Sequence, residues 1–127
     1  MALILVVDHD DEYRSAVREL LETHGFEVSE ARDGRLALEY MLSMDTPALV
    51  ILDLEIPVMS GTELLNLMRR YYRLARIPVL VFSLRGQTEM IAHPMVVGVI
   101  SKPFDASALI ATVKSHVRSP PGSSNPV

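Results

Sequence analysis

Three short apolar runs, each closed by a polar side chain with chemistry to offer, constrain this chain more than any other feature. Residues 2–7 (ALILVV) stop at Asp8, residues 48–52 (ALVIL) stop at Asp53, and residues 77–82 (IPVLVF) stop at Ser83. Runs of this length with no polar alternation fit strands buried on both faces. Two further segments read as strands. Residues 26–31 (FEVSEA) alternate, which leaves one face less buried, and residues 95–100 (MVVGVI) end at Ser101-Lys102-Pro103.

Helical patterns fill the intervals. The acidic group Asp8, Asp10, Asp11 and Glu12 offers an N-cap and a negatively charged first turn. Tyr13, Ala16, Val17, Leu20 and Leu21 then form an apolar stripe, which Gly25 closes as a left-handed C-cap. Asp33-Gly34 opens a second helix with Leu36, Ala37, Tyr40 and Met41 on its inner side. Pro57, Ser60 and Gly61 mark a loop before a third helix over 62–71, with Leu64, Leu65, Leu67 and Met68 available for packing. The stretch 84–94 is the least defined, its one helix candidate being 87–92. A last amphipathic helix over 106–117 carries Leu109, Ile110, Val113 and Val117. Strands that alternate with helices, and are themselves continuously apolar, indicate an α/β fold: a parallel sheet covered on both faces. A chain of 127 residues accommodates one such domain, expected over 1–118. Residues 119–127 (SPPGSSNPV) have the composition of a flexible tail or linker.

Composition removes several functions. There is no cysteine, which excludes disulfides, thiolate metal sites and thiol nucleophiles. The formal net charge of −4 gives no support to a nucleic-acid-binding face. The apolar runs are far short of the ~20 residues that span a bilayer. The N-terminus lacks the basic start and cleavage site of a signal peptide, so a cytoplasmic protein is expected.

In a doubly wound sheet the functional crevice lies beyond the carboxyl ends of the strands. Asp8, His9, Asp10, Asp53, Ser83 and Lys102 are therefore expected to converge on one rim. Neighbouring carboxylates repel unless a cation lies between them. A hard divalent ion such as Mg²⁺, or the ammonium of Lys102, meets that need. Asp53 is the natural central group, and Ser83 can donate to an oxygen of a bound anion. A carboxylate nucleophile, a metal, a lysine and a hydroxyl together suit phosphoryl transfer, which works by positioning and charge neutralisation.

These residues stand in stretches that resemble the receiver domain of bacterial two-component response regulators: LILVVDHDDEYR at the first strand, ARDGRLAL at the second helix, LVILDLEIPVMSGTELL around Asp53, IPVLVFS before Ser83 and ISKPFD around Lys102. The resemblance covers residues 3 to about 117. It implies a five-stranded flavodoxin-like sheet in the order 2-1-3-4-5. It also implies a signalling switch, not an enzyme beyond weak self-dephosphorylation, in which Asp53 accepts a phosphoryl group from a histidine kinase or phosphotransfer protein. Mg²⁺ would be held by Asp53, by Asp8 and by the backbone carbonyl of Glu55, with Ser83 and Lys102 on the phosphoryl oxygens. Pro103 would follow a cis bond. The output would pass to a downstream protein or to an output domain beyond these residues.

Three departures qualify those expectations. His9 stands where the family usually has a second acid; imidazole is a poor Mg²⁺ ligand, so weaker Mg²⁺ binding is expected, with Asp10 or water in compensation. Val99 stands three residues before the lysine, where the family often has an aromatic ring. The segment between Ser83 and Lys102 looks short, so the face that regulators commonly use to dimerise is expected to be rebuilt in any homodimer. Two other readings stay open: a degenerate pseudo-receiver that only binds protein, and, less favoured, an aspartate-nucleophile phosphatase suggested by Asp53-Leu54-Glu55. His24, His93 and His116 are read as surface or packing residues. Arg69, Arg70, Arg73 and Arg76 are read as a solvated helix end.

Overall fold

The computed structural model describes residues 2–84 and 93–117. Its strands are β1 (Leu3–Val7), β2 (Glu27–Ala31), β3 (Leu49–Asp53), β4 (Val79–Leu84) and β5 (Val96–Lys102), and its helices are α1 (Asp11–Thr23), α2 (Gly34–Ser43), α3 (Gly61–Met68) and α4 (Ala106–His116). All strand pairs are parallel, in the order β2-β1-β3-β4-β5. This is the flavodoxin-like arrangement that the family resemblance implied. The expected helix at 87–92 and the expected tail at 119–127 lie outside the described residues.

Strand alternation divides the core in two. Leu5, Val7, Val50, Leu52, Val79 and Val81 face α2 and α3, where Ala37, Met41, Leu64, Leu65 and Met68 cover them. Ile4, Val6, Leu49, Ile51, Leu80 and Phe82 face α1 and α4, beneath Val17, Leu21, Leu109 and Val113. Both sides of β1 and β3 are thus dry, which is why their sequences carry no polar alternation.

The helix starts follow local side-chain chemistry. Asp10 accepts from the amides of Glu12 and Tyr13, Asp33 from that of Leu36, and Asp105 from that of Ser107. Ser60 forms a reciprocal capping box with Glu63. Gly25, with φ +89°, lies past the C-cap of α1, as expected.

Several expectations need correction. Ala16 and Leu36 point outward rather than into the core. On α2 it is Leu38 that packs against the sheet beside Ala37 and Met41. The third helix ends at Met68, not at residue 71, and turns follow it. Ser83 and Lys102 belong to β4 and β5 instead of following them, because the β4–β5 ladder extends through the pairs Ser83–Ser101 and Leu84–Lys102. Arg73 is exposed, as expected, but it lies in the turns after α3 and is not free at a helix end. Its guanidinium crosses to α2, donating to the Met41 carbonyl at 2.9 Å and to Thr46, and so satisfies a carbonyl that the end of α2 leaves open. Among the described residues no helix is long and apolar enough to cross a membrane.

Candidate functional site

Adjacent parallel strands bring Asp8 and Asp53 together. In register, Val7 pairs with Leu52, and each acid is the next residue along its strand. Asp8 continues the alternation of Ile4 and Val6, and Asp53 that of Leu49 and Ile51, so both belong to the α1/α4 side of the sheet. Lys102, two strands away on β5, reaches back over Phe82 to meet them. Its Nζ lies 2.8 Å from Asp8 Oδ2 and 3.0 Å from Asp53 Oδ2. The contact with Asp53 is an aligned hydrogen bond, and that with Asp8 is an ion pair.

The remaining carboxylate oxygens are held by the backbone. Asp8 Oδ1 accepts from the Asp10 amide and Asp53 Oδ1 from the Glu55 amide, each at 2.9 Å. Asp8 is fully buried, whereas Asp53 keeps 7% of its surface exposed. Burial alone would lower the pKa of Lys102; the close contacts and charges of Asp8 and Asp53 outweigh it and hold the ammonium above its ordinary value. The ammonium also sits 4.4 Å from the centre of the Tyr13 ring, a cation–π distance. Tyr13 in turn packs edge-on to Phe82 and Phe104, and its hydroxyl accepts from the Phe104 amide. Burial raises the Tyr13 pKa, against the pull of Lys102, so the hydroxyl stays protonated.

His9 projects over the same rim, more than half exposed. Its Nδ1 lies 3.7 Å from Asp53 Oδ2 and 3.9 Å from Asp8 Oδ1. One donor atom from each of Asp8, His9 and Asp53 lies within 4.8 Å of the other two, a group that could hold a metal ion. Ser83 is buried near the end of β4, the strand between Asp53 and Lys102. Its place on β4 has the opposite parity to Phe82, which pairs with Asp53. Glu55 is exposed, and its amide is what meets Asp53. Asp10 faces the helix amides as a cap, and Asp11 pairs with Arg14.

Two residues of this site escape a sequence reading. Tyr13 registers only as one member of the α1 stripe. Arg14 registers only as the last residue of the first-strand motif, without a role, yet its Nη1 donates to the Asp8 carbonyl at 2.6 Å, while its other nitrogens bind Glu30 and Asp11 at 2.7 Å each. Their place directly after the acidic cap was the available signal. Their partners, up to 91 residues away along the chain, were not visible from it.

The model of the response regulator receiver domain matches residues 4–114. The chain belongs to that family. Curated relatives include the probable transcriptional regulator ycf29 of Porphyra purpurea, 32% identical over 90% of this chain, and the polar-differentiation response regulator DivK of Brucella anthropi, 28% identical over 90% of it. The chain spans 56% of the length of the first and 94% of the second. Among solved structures, the chemotaxis response regulator CheY4 of Vibrio cholerae superposes with a TM-score of 0.83 at 28% identity, covering 92% of this chain and 99% of that one. A receiver protein from Pseudomonas putida gives 0.80 at 28% identity, covering 90% and 96%. Receivers bind Mg²⁺ at an acidic pocket. In this receiver the Asp8 and Asp53 carboxylates are the hard oxygen donors such an ion requires, and the His9 nitrogen is not. The receiver also has the cis Lys102–Pro103 bond that the resemblance implied.

Proposed function

We propose that this receiver is the phosphoacceptor switch of a two-component phosphorelay, with Asp53 taking the phosphoryl group from a histidine kinase or phosphotransfer protein. The single observation that carries the reading is the arrangement of the two acids around one lysine. Asp53 meets solvent at the rim while Lys102 and the Glu55 amide fix its carboxylate. In the transfer an Asp53 carboxylate oxygen bonds to phosphorus, the phosphorus–nitrogen bond of the donor phosphohistidine breaks, and the imidazole leaves with the electron pair and takes up a proton. Preorganised charge is the main catalytic means here. Lys102 neutralises the developing charge on the phosphoryl oxygens, and the Ser83 hydroxyl donates to one of them. Mg²⁺, held by Asp8, Asp53 and the Glu55 carbonyl, would supply further charge neutralisation. Self-dephosphorylation by water attack is expected to be slow.

The output follows from a shift of populations. A phosphoryl group adds strong acceptor oxygens and negative charge at Asp53. Lys102 and Ser83 then re-pair toward it, and the β4 and β5 ends they occupy move with them. Val99 is 39% exposed on β5 and is a small aliphatic side chain, with no ring to swing between two states. The signal therefore travels through backbone and loop shifts to a downstream protein or an output domain. A partner that binds equally with and without beryllofluoride would contradict this.

His9 in the donor group favours one second reading, a degenerate receiver used only for protein binding. One experiment separates the two. Incubation with acetyl phosphate and Mg²⁺ is expected to add a phosphoryl mass that Asp53→Asn lacks. No added mass on the unaltered chain would overturn the phosphoacceptor reading in favour of the second.

A further inference from the structure

The donor group at the rim is chemically mixed. Asp8 and Asp53 offer hard oxygens, but the third donor is an imidazole nitrogen. Mg²⁺ demands oxygen ligands and keeps several waters. Imidazole suits the first-row transition ions, whose affinity for such a set rises from Mn²⁺ through Co²⁺ to Cu²⁺. We infer that His9 is a ligand in this site and shifts its preference from Mg²⁺ toward a divalent transition ion of the Mn²⁺/Co²⁺ class. The inference rests on reading the rim as the receiver's cation site.

Geometry supports the assignment. Donors bound to one ion at about 2.1 Å stand no more than about 4.2 Å apart. The separations of 3.7 and 3.9 Å from His9 Nδ1 to Asp53 Oδ2 and Asp8 Oδ1 already fall within that limit. The His9 side chain is 54% exposed, so its ring can turn onto an ion without unpacking the core. Asp8 cannot retreat to solvent, because it is fully buried with Oδ1 held by the Asp10 amide. Two carboxylates against the single ammonium of Lys102 leave the group net negative, which draws a dication. With a transition ion His9 adds a bond, whereas with Mg²⁺ it only takes up space beside the waters.

The test is a pair of titrations of the full chain, with Co²⁺ alone and with Mg²⁺ alone, above the ordinary titration range of histidine. Binding is followed by calorimetry and by the NMR signals of the His9 ring and the Asp53 amide. The expected Co²⁺-to-Mg²⁺ affinity ratio of the unaltered chain exceeds that of His9→Asp by at least about tenfold. Co²⁺ should relax the His9 ring protons strongly. His9→Ala should weaken Co²⁺ and leave Mg²⁺ almost unchanged. A ratio equal in all three chains overturns the inference. Asp53→Asn separates the levels. If it weakens both ions while the His9 variants leave the ratio unchanged, only the His9 assignment falls. If neither ion responds to Asp53→Asn, the rim is not the cation site and both readings fall.

Discussion

The turn after β1 and the loop after β3 begin alike and then diverge. Each starts with an aspartate whose Oδ1 accepts the amide two residues on, at 2.9 Å in both, and whose Oδ2 meets Lys102. Beyond that the first is anchored and the second is strained. The Asp8 carbonyl is clasped by Arg14, which is itself tied to Glu30 of β2, and Asp10 caps α1 immediately afterwards. The Asp53 loop runs on through Val58, a β-branched residue at φ +73° inside a tight turn closed by the Met59 amide on the Pro57 carbonyl. It then passes so close to α3 that a Cβ on Gly61 would lie 2.6 Å from the Leu54 Cα. One strand end holds a fixed, fully dry charge, and the other holds a charge that keeps 7% exposure, on a loop with stored strain. The same local motif thus serves two roles, set by what surrounds it.

The largest expected effect bears on the charge the two acids share. Lys102→Met should cost about 3 kcal/mol at neutral pH, as breaking a buried ion pair does, read as a fall in the urea midpoint with an unchanged slope. The comparison is sharpened by two rescues. Asp8→Asn added to Lys102→Met should restore more stability than Asp53→Asn added to it, because Asp8 has no solvent to turn to. Equal rescue would mean that the acids are equivalent and would break the comparison.

Next in size is Arg14→Met, which leaves the Asp8 carbonyl without its donor and should cost about 2 kcal/mol. The exposed pair Arg35–Glu39 provides the control, since Arg35→Met should cost well under 1 kcal/mol. Equal costs would mean that Arg14 does not anchor the turn. The acid limb offers a second readout. Burial would raise the pKa of Glu30, but Arg18 and Arg14 outweigh it and hold the carboxyl below its ordinary value. A lowered pKa gives stability that is present above the ordinary glutamate value and is lost as pH falls through the folded one. Stability should therefore drop over that window, and less steeply in Arg14→Met.

The smallest effect has the opposite sign. Val58→Gly removes the left-handed strain of an exposed side chain, offset in part by the greater freedom of glycine when unfolded. A net gain of roughly 0.5–1 kcal/mol is expected in chemical denaturation. A loss would show that the Asp53 loop is relaxed and no less settled than the Asp8 turn.

The sequence by itself determined what depends on neighbours a few residues away. Continuous apolar runs ending in acids specified β1 and β3, and with them the rim where Asp8 and Asp53 meet. Caps at Asp33 and Gly25 placed helix ends, because a cap satisfies amides or carbonyls within one turn of itself. Only the tertiary structure decided the pairings across long separations. Tyr13 meets Phe104 across 91 residues, and Lys102, whose place on the rim was legible, turns out to hold Asp8 and Asp53 at once. Arg73 crosses 32 residues to the end of α2, and β5 continues through Lys102 because β4 lies beside it. Leu36 turned outward for the same reason. A stripe of apolar residues indicates that a helix has an inner face, but where that face is cut depends on the sheet it lands on.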